Sequence, residues 1–398
     1  MFLHFGLRSF YERIGNEDTP NMDPARFMPE PLDCNQWAET AKAAGMRYMV
    51  LTTKHHDGFC LWPTKTTDFS VASSGWREGK GDVVRDYVEA CRAHGLGVGL
   101  YYSPADWKCA CYDDAQAYND YFFSQMEELM RNYGTIDLVW FDLAYSKHPY
   151  DWPRIINMMR KHSPNILMNS GDPNVRHGGS EAGIAPWPLW NTVTEWTDPS
   201  TSTKRSDPDN PRWVPVEVCA QMRQFCWFYQ DFDEHTVKLA DELMCMYYHS
   251  VGRGSNLLLN LGPDRRGLLP EPDRSNLLEF GAILKDRFSS PIVSCPGAPL
   301  STGKQVIEHD LAEEPIVDHV VLEENLAQGE HVQKYRLQVL PAGHTIAPVT
   351  VAEGYGIGHK AIVPLHAMRI KQVRLELTCE GDGALKTLDL HGRPSPWA

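Results

Sequence analysis

The sequence contains no apolar run that approaches the roughly 20 residues of a membrane-spanning helix. Positive charge is also scarce, because 38 Lys and Arg residues stand against 52 Asp and Glu residues and leave a net charge of -14. An acidic protein repels nucleic acid and anionic membranes, so neither is expected as a partner. No signal peptide precedes the apolar start MFLHFG. This start predicts a cytoplasmic protein, although a secreted protein whose leader lies outside the given residues would look the same.

Paired cysteine motifs are missing as well. Of the ten cysteines, only Cys109 and Cys111 lie close together, and the sequence has no CxxC repeat. We therefore predict reduced thiols, with disulfide and zinc roles disfavoured. Aromatic residues, in contrast, are plentiful, with 12 Trp and 16 Tyr. Most will pack in a core, but an acidic, aromatic-rich protein also fits a sugar-binding enzyme, because pyranose rings present apolar C–H faces to aromatic rings.

The first two-thirds of the chain alternates short apolar runs with helical patterns. The apolar runs predict buried parallel strands over residues 1–5, 47–53, 97–103, 136–142, 165–170, 192–196, 214–218 and 256–262. Helical spacing, with capping residues before it and often a glycine after it, predicts helices over 35–44, 83–94, 114–133, 152–162 and 234–250. This alternation predicts an α/β fold, a (β/α)8-type barrel, as the catalytic domain over residues 1–290.

The pattern changes near residue 290. The segment SSPIVSCPGAPLSTGK is rich in proline and small residues and is typical of a linker. Beyond it, residues 335–340 and 373–378 alternate apolar and polar side chains, and no pattern of helix length appears. We therefore predict a C-terminal antiparallel β-sandwich over residues 291–398, which either braces the barrel or binds carbohydrate, with bracing favoured.

Polar residues end or follow the predicted strands. They are His4, His55, His56, Asp57, Tyr102, Ser103, Asp142, Asn169, Glu217 and Asn260. Because the carboxyl ends of barrel strands form the active face, these side chains predict a polar pocket. Adjacent histidines on a strand point to opposite faces, so a metal at His55 and His56 is disfavoured, and neutral imidazoles suit hydrogen bonding to hydroxyl groups.

Two carboxylates, Asp142 and Glu217, are the sharpest candidates for catalysis. Glycosidases need one carboxylate as nucleophile and a second as proton donor. Asp142 follows LVWF, so the sheet would fix its position, and Glu217 lies among apolar residues in WVPVEV. Burial there would raise the pKa of Glu217, as an acid that works near neutrality requires. From the residues alone, ion pairing with arginine or a capping role stays open for both.

Three segments together resemble the α-L-fucosidases of glycoside hydrolase family 29. They are HFG, KHHDGFCLW and NLLLNLGPDRRG, at residues 4–6, 54–62 and 256–267. The similarity runs from His4 to about residue 285, and the tail resembles the β-sandwich of that family. The resemblance implies a retaining exo-glycosidase that removes terminal α-L-fucose from glycans or oligosaccharides by double displacement. No metal or cofactor is predicted.

The resemblance also implies residue roles. The W-x-D segment implies Asp142 as the nucleophile. The W-x-P-x-E segment of the branch active on α-1,3/1,4-linked fucose implies Glu217 as the acid/base. A C5 methyl group distinguishes fucose, and the candidate apolar contacts for it are Trp62, Phe59, Trp227 and Phe228. The full set of expected sugar contacts is His4, His55, His56, Tyr102 in preference to Tyr101, Trp140, Glu17 with Glu12 as its alternative, Trp62, Arg223 and Trp227.

Two departures from the family pattern lie beside these residues. The chain has WFDL where WFDG is usual, and QFC replaces the usual Pro-Gly after Arg223. The expected partner is a fucosylated oligosaccharide or glycoconjugate. The alternatives are an exo-glycosidase for another L-galactose-configured sugar, an inactive carbohydrate-binding relative, and a metal-dependent hydrolase on the same barrel. The sequence predicts no oligomeric state.

Overall fold

Two sheet systems of different kinds build the molecule. The computed structural model describes residues 1–12, 21–146, 149–198, 203–206, 209, 211–343 and 347–393. Up to residue 260 the strands are β1 (Phe2–Leu3), β2 (Tyr48–Lys54), β3 (Gly97–Tyr102), β4 (Leu138–Phe141), β5 (Leu167–Met168), β6 (Arg176–His177), β7 (Thr192–Val193), β8 (Glu195–Asp198), β9 (Thr203–Ser206), β10 (Arg212–Trp213), β11 (Val216–Gln221) and β12 (Asn256–Asn260). Eight of them form one parallel sheet in the order β5-β4-β3-β2-β1-β12-β11-β6.

Helices alternate with these strands. They are α1 (Cys34–Ala43), α2 (Val83–Ala93), α3 (Ala115–Asn132), α4 (Trp152–His162), α5 (Ala240–His249) and α6 (Glu271–Phe288). The first four begin at an aspartate whose carboxylate accepts from backbone amides of the first turn, which satisfies donors that a helix start leaves unpaired. The strands of the parallel sheet are short and mostly buried, and the helices cover the outside of the sheet, so the prediction of a (β/α)8-type barrel is confirmed.

The sixth strand of the barrel differs from its prediction. Residues 192–196 were expected there, but β7 and β8 pair antiparallel with β10 and β9 outside the barrel sheet. The sixth position belongs to β6, which pairs with Val216 and Glu217 of β11. A strand of two residues, Arg and His, carries no apolar run, so the sequence pattern could not reveal it.

The C-terminal part is antiparallel. Its strands are β13 (Val293–Leu300), β14 (Gly303–Asp310), β15 (Ile316–Glu324), β16 (Val332–Pro341), β17 (Val349–Gly354), β18 (Ala361–Cys379) and β19 (Gly383–Arg393). The long β18 pairs with β15 through its first part and with β14 and β16 through its second. It thereby belongs to two layers, which enclose a separate apolar core. The predicted β-sandwich is confirmed.

A carboxylate of the sandwich fixes a barrel loop. Glu330 accepts from the backbone amides of Asn191 and Thr192, each at 2.8 Å. Asn191 in turn accepts through Oδ1 from the amide of Val216, at the start of β11. This chain of contacts favours a bracing role for the sandwich. Within the described part of the chain, no helix has the length and apolar character to cross a bilayer.

Candidate active site

The carboxyl ends of three barrel strands, β1, β2 and β4, bring polar side chains together. His4 follows β1, His55 and His56 follow β2, and Asp142 follows β4. We call this end of the barrel, defined by these four residues, the rim. Next to it, a cleft of about 420 Å³ opens beside Asp142. It is lined by residues of β4 and β6, by residues of the loops that follow β4 and β5, and by Val214.

Asp142 is held by three donors. Tyr101 donates its hydroxyl to Oδ2 at 2.8 Å, the amide of Ala144 donates to Oδ1 at 3.0 Å, and His56 Nε2 lies 3.4 Å from Oδ2. Burial by itself would raise the pKa of Asp142, but His56, Ala144 and Tyr101 outweigh it, so the pKa lies below its usual value. The carboxylate is therefore ionised and oriented, as a nucleophile must be.

Three rings stack beside this carboxylate. Tyr101 lies between His55 and Trp140, with centroid distances of 5.7 Å to each and interplanar angles of 8° and 13°. Burial lowers the pKa of His55 well below its usual value, and the charges of His56 and His4 lower it further. Its buried Nδ1 has no hydrogen-bond partner within the described residues. A neutral imidazole with an unsatisfied nitrogen fits a hydroxyl group of a ligand.

His4 forms the other wall of the rim. Its Nδ1 lies 2.7 Å from Oδ1 of Asn260, and its ring contacts those of Trp227 and Phe228 at 4.9 Å and 5.3 Å. Burial lowers the pKa of His4 to about 3, although the hydrogen bond to Asn260 opposes the shift. The structure thus brings four expected contacts, His4, His55, His56 and Trp140, to the side of Asp142, and a fifth, Trp227, packs against His4.

The two adjacent histidines also face one another. Their rings are 4.2 Å apart, because β2 ends at Lys54 and the strand alternation assumed for the pair does not extend to them. Ligand atoms of His55, His56 and Asp142 all lie within 4.8 Å of one another, close enough to hold a metal ion. The opposite orientations predicted for the two histidines are therefore wrong.

Glu217 contradicts its expected role. It is the second residue of β11, and four further residues, about 13 Å of strand, separate it from the carboxyl end. Its side chain is 2% exposed and accepts from Tyr48, Asn256 and Trp140 inside the barrel. We call this layer, Tyr48, Glu217 and Asn256, the floor. A carboxylate enclosed there cannot reach a sugar at the rim, so the assignment of Glu217 as acid/base is wrong.

A different carboxylate, Glu181, lies at the rim. It follows β6 by four residues, and the next residue, Ala182, bridges to Ala220 near the carboxyl end of β11. Its side chain is exposed, and its charge acts on His177 together with that of Asp142. Sequence reasoning missed Glu181 because it placed the sixth strand at 192–196. With β6 at 176–177, the rule of polar residues after strand ends would have included it.

Two further expected contacts lie behind the sheet. The Tyr102 hydroxyl donates to Gln125 of α3 at 2.7 Å, and the Trp62 indole donates to Glu128 of α3 at 2.8 Å. Both side chains are buried in the core between barrel and helices. Successive strand residues alternate faces, so Tyr101 points into the barrel and Tyr102 points out. The predictions that Tyr102 and Trp62 contact the sugar are therefore wrong, and Tyr101 is the tyrosine that faces Asp142.

Arg223 is likewise not at the rim. Its guanidinium binds Asp273 of α6 through Nε and Nη2, and Nη1 donates to Asp233 at 3.1 Å. It is 4% exposed and fixes the loop that carries Trp227 and Phe228. The prediction that it contacts sugar is therefore wrong, because two buried carboxylates hold it in place. Glu17 lies outside the described residues, and its alternative Glu12 is exposed and pairs with Arg265 at 3.3 Å.

Comparison with known proteins agrees with this architecture. The family model described as alpha-L-fucosidase matches residues 1–287. A relative from Oryza sativa subsp. japonica is 32% identical and covers 96% of this chain and 80% of its own length. Alpha-L-fucosidase 1 of Arabidopsis thaliana is 38% identical over 73% of this chain, which spans 58% of that protein. A solved glycoside hydrolase 29 family member from an unknown rumen bacterium is 31% identical with a TM-score of 0.84, over 99% of this chain and 74% of that one.

A barrel with an oriented, ionised carboxylate at its rim, followed by a β-sandwich, fits a glycoside hydrolase. Since the family model covers well over half of the chain, the chain belongs to the alpha-L-fucosidase family, glycoside hydrolase family 29. The resemblance found in the three sequence segments is confirmed.

Proposed function

We propose that this protein is a retaining exo-α-L-fucosidase that releases terminal α-L-fucose from oligosaccharides or glycoconjugates. The observation that carries the proposal is the setting of Asp142, an ionised carboxylate gripped by His56 and Tyr101 at the end of a barrel strand. The names of the curated relatives support fucose as the sugar. His4, His55 and His56 supply polar groups for ring hydroxyls, and Trp227 and Phe228 supply an apolar surface for the C5 methyl group.

The reaction has two steps. A carboxylate oxygen of Asp142 attacks the anomeric carbon, and the bond to the leaving oxygen breaks as Glu181 donates a proton to it. Glu181 then removes a proton from water, the water oxygen attacks the same carbon, and the bond to Asp142 breaks. Two inversions leave fucose with its original configuration. Exposure of Glu181 at the rim suits a group that must meet first the aglycone and then water.

The test combines product stereochemistry with the identity of the acid/base. Wild type acting on an aryl α-L-fucoside should release α-L-fucose first, as followed by ¹H NMR before mutarotation. Glu181→Gln should lose far more activity on an alkyl fucoside than on a 2,4-dinitrophenyl fucoside, because a good leaving group needs no proton. Azide should rescue this variant and give the α-azide.

The matched control is Glu217→Gln, which should not show this dependence on the leaving group. First release of β-L-fucose would contradict retention, and an aryl α-L-galactoside cleaved faster than the fucoside would contradict the sugar assignment. A Glu181→Gln variant that loses activity equally on both fucosides would contradict its role as the proton donor.

A further inference from the structure

We propose that Glu217 is a positioning residue, which holds Trp140 and through it Tyr101 in the orientation that serves Asp142. The inference rests on the proposed function in that it takes Asp142 as the nucleophile. It assigns a task to a buried carboxylate of the barrel interior that the reaction itself does not use.

A continuous series of contacts links the floor to the rim. The Trp140 indole donates to Oε1 of Glu217 at 3.1 Å. The same indole stacks on Tyr101 at 5.7 Å and 13°, and the Tyr101 hydroxyl donates to Oδ2 of Asp142 at 2.8 Å. Each contact fixes the orientation of the next side chain. The position of the Glu217 carboxylate therefore affects the hydrogen bond to the nucleophile through two aromatic side chains.

The carboxylate at the start of this series is itself fixed. Its Oε2 accepts from the Tyr48 hydroxyl of β2 and from the Asn256 amide of β12, the latter at 3.0 Å. Two other strands therefore set its orientation, and burial prevents water from replacing it as the acceptor for Trp140. If that acceptor is removed, the indole N–H loses its partner inside the barrel, and the half-buried ring will turn to find another one.

The turn of Trp140 would loosen Tyr101. The χ2 torsion of tryptophan is broad, so the ring has freedom that only its partners remove. Tyr101 would then keep a stacking partner on one face alone, His55, and its hydroxyl would donate less steadily to Asp142. Because that donation favours the ionised carboxylate, its loss must raise the pKa of Asp142.

The groups that face Asp142 allow this shift to be recognised. His56 and Tyr101 contact the carboxylate, and the charges of His4 and His177 are coupled to it, as is Glu181 through His177. A change confined to the floor leaves His4, His56, His177 and Glu181 in place. In such a variant, a shift of the acid limb of the pH profile of kcat/KM therefore reports a change in the hydrogen bond from Tyr101 to Asp142.

The experiment measures kcat/KM of an aryl fucoside against pH in Glu217→Ala. We expect about a 10-fold loss and an acid limb displaced upward by roughly 0.5 to 1 in pH. Trp140→Phe should produce the same displacement, and the double variant should show no more than either single one, because both cut the same link. Glu217→Gln should recover much of the loss, since its amide oxygen still accepts from the indole.

Tyr48→Phe is the matched control for damage to the floor. It removes a donor to Oε2 but leaves the Oε1 contact with Trp140, so it should lower thermal stability without moving the acid limb. An equal displacement in Tyr48→Phe would overturn the proposal, as would an unmoved limb in Glu217→Ala or additive displacements in the double variant.

A second measurement does not depend on turnover. In protein labelled with ¹³C at aspartate carboxyls, the Asp142 resonance, identified by its loss in Asp142→Asn, should titrate at higher pH in Glu217→Ala than in wild type. If wild type hydrolyses no α-L-fucoside, the proposed function fails while this titration still decides the positioning role. An unchanged titration in an active enzyme refutes the positioning role alone.

Discussion

Asp142 and Glu217 are carboxylates of the same barrel that lie at different depths along its strands. Asp142 comes after the last residue of β4, and Glu217 is the second residue of β11. Each accepts three hydrogen bonds or close contacts from neighbours, and burial acts to raise the pKa of both. At the rim, the effect of the hydrogen-bonding partners on Asp142 exceeds the effect of burial, so its pKa is lowered. At the floor, the effect of burial on Glu217 exceeds that of its partners, so its pKa is raised.

The nature of the donors explains this opposite outcome. Asp142 shares a phenol donor with Glu217, but it also has a histidine, which can carry a positive charge, and a backbone amide, and it keeps 24% of its side-chain surface exposed. Glu217 has a phenol, an indole and an amide, all neutral, and is almost fully enclosed. A carboxylic acid enclosed among neutral donors is suited to a structural role, and a carboxylate beside a histidine at an open cleft is suited to catalysis.

The largest expected effect is the loss of the rim carboxylate. Asp142→Asn should lower kcat on an aryl fucoside by at least about 1,000-fold, because it removes the proposed nucleophile. Binding of fucose, measured by calorimetry, should change little, since the surrounding rings stay in place. Azide should restore turnover in Asp142→Ala and give the β-azide. If Asp142→Asn kept a near-normal kcat, the rim carboxylate would not be the nucleophile, and the contrast between a catalytic Asp142 and a non-catalytic Glu217 would fail.

The next effect separates two neighbouring tyrosines. Tyr101→Phe should lower kcat/KM by about 10- to 100-fold, the range for a hydrogen bond to a charged group, and should raise the acid limb of the pH profile. Tyr102→Phe, the matched control on the outer face of β3, should leave kcat/KM unchanged and cost about 1 kcal/mol of stability through its lost bond to Gln125. The reverse pattern would show that Tyr102 faces the sugar.

These side chains also show what the sequence could predict. The apolar runs located seven of the eight barrel strands, and the residues after them located His4, His55, His56 and Asp142. Periodicity could do this because a buried strand needs an apolar run and a barrel places its strand ends together.

The predictions that were wrong concern properties that only the three-dimensional structure determines. Glu217 matched a motif, but its depth depends on where β11 starts, and a displacement of a few residues moves a side chain from rim to floor. Tyr101 and Tyr102 differ only in the face of one strand. In the sequence, Arg223 looks like a cation that could bind a ligand. Only the fold shows that Asp233 and Asp273 already bind it. Because β6 has only two residues and no apolar run, the sequence did not indicate Glu181 as a residue that follows a barrel strand.

The smallest expected effect tests the opposite pKa changes of the two carboxylates through thermal stability. The folded-state pKa of Asp142 lies below the unfolded value of about 3.9, so its stabilisation is present above that pH and is lost as pH falls through the folded pKa. Wild type should therefore gain Tm relative to Asp142→Asn as pH rises from about 3 to 5.

Glu217 should show the opposite dependence. Its folded-state pKa lies above the unfolded value of about 4.3, so its stabilisation is complete below that pH and is lost as pH rises through the folded pKa. Wild type should lose Tm relative to Glu217→Gln from about pH 4.3 upward, by about 2 °C if the folded and unfolded acid constants differ tenfold. Calorimetric scans across this range that gave both differences the same slope would show that the two carboxylates share one kind of environment.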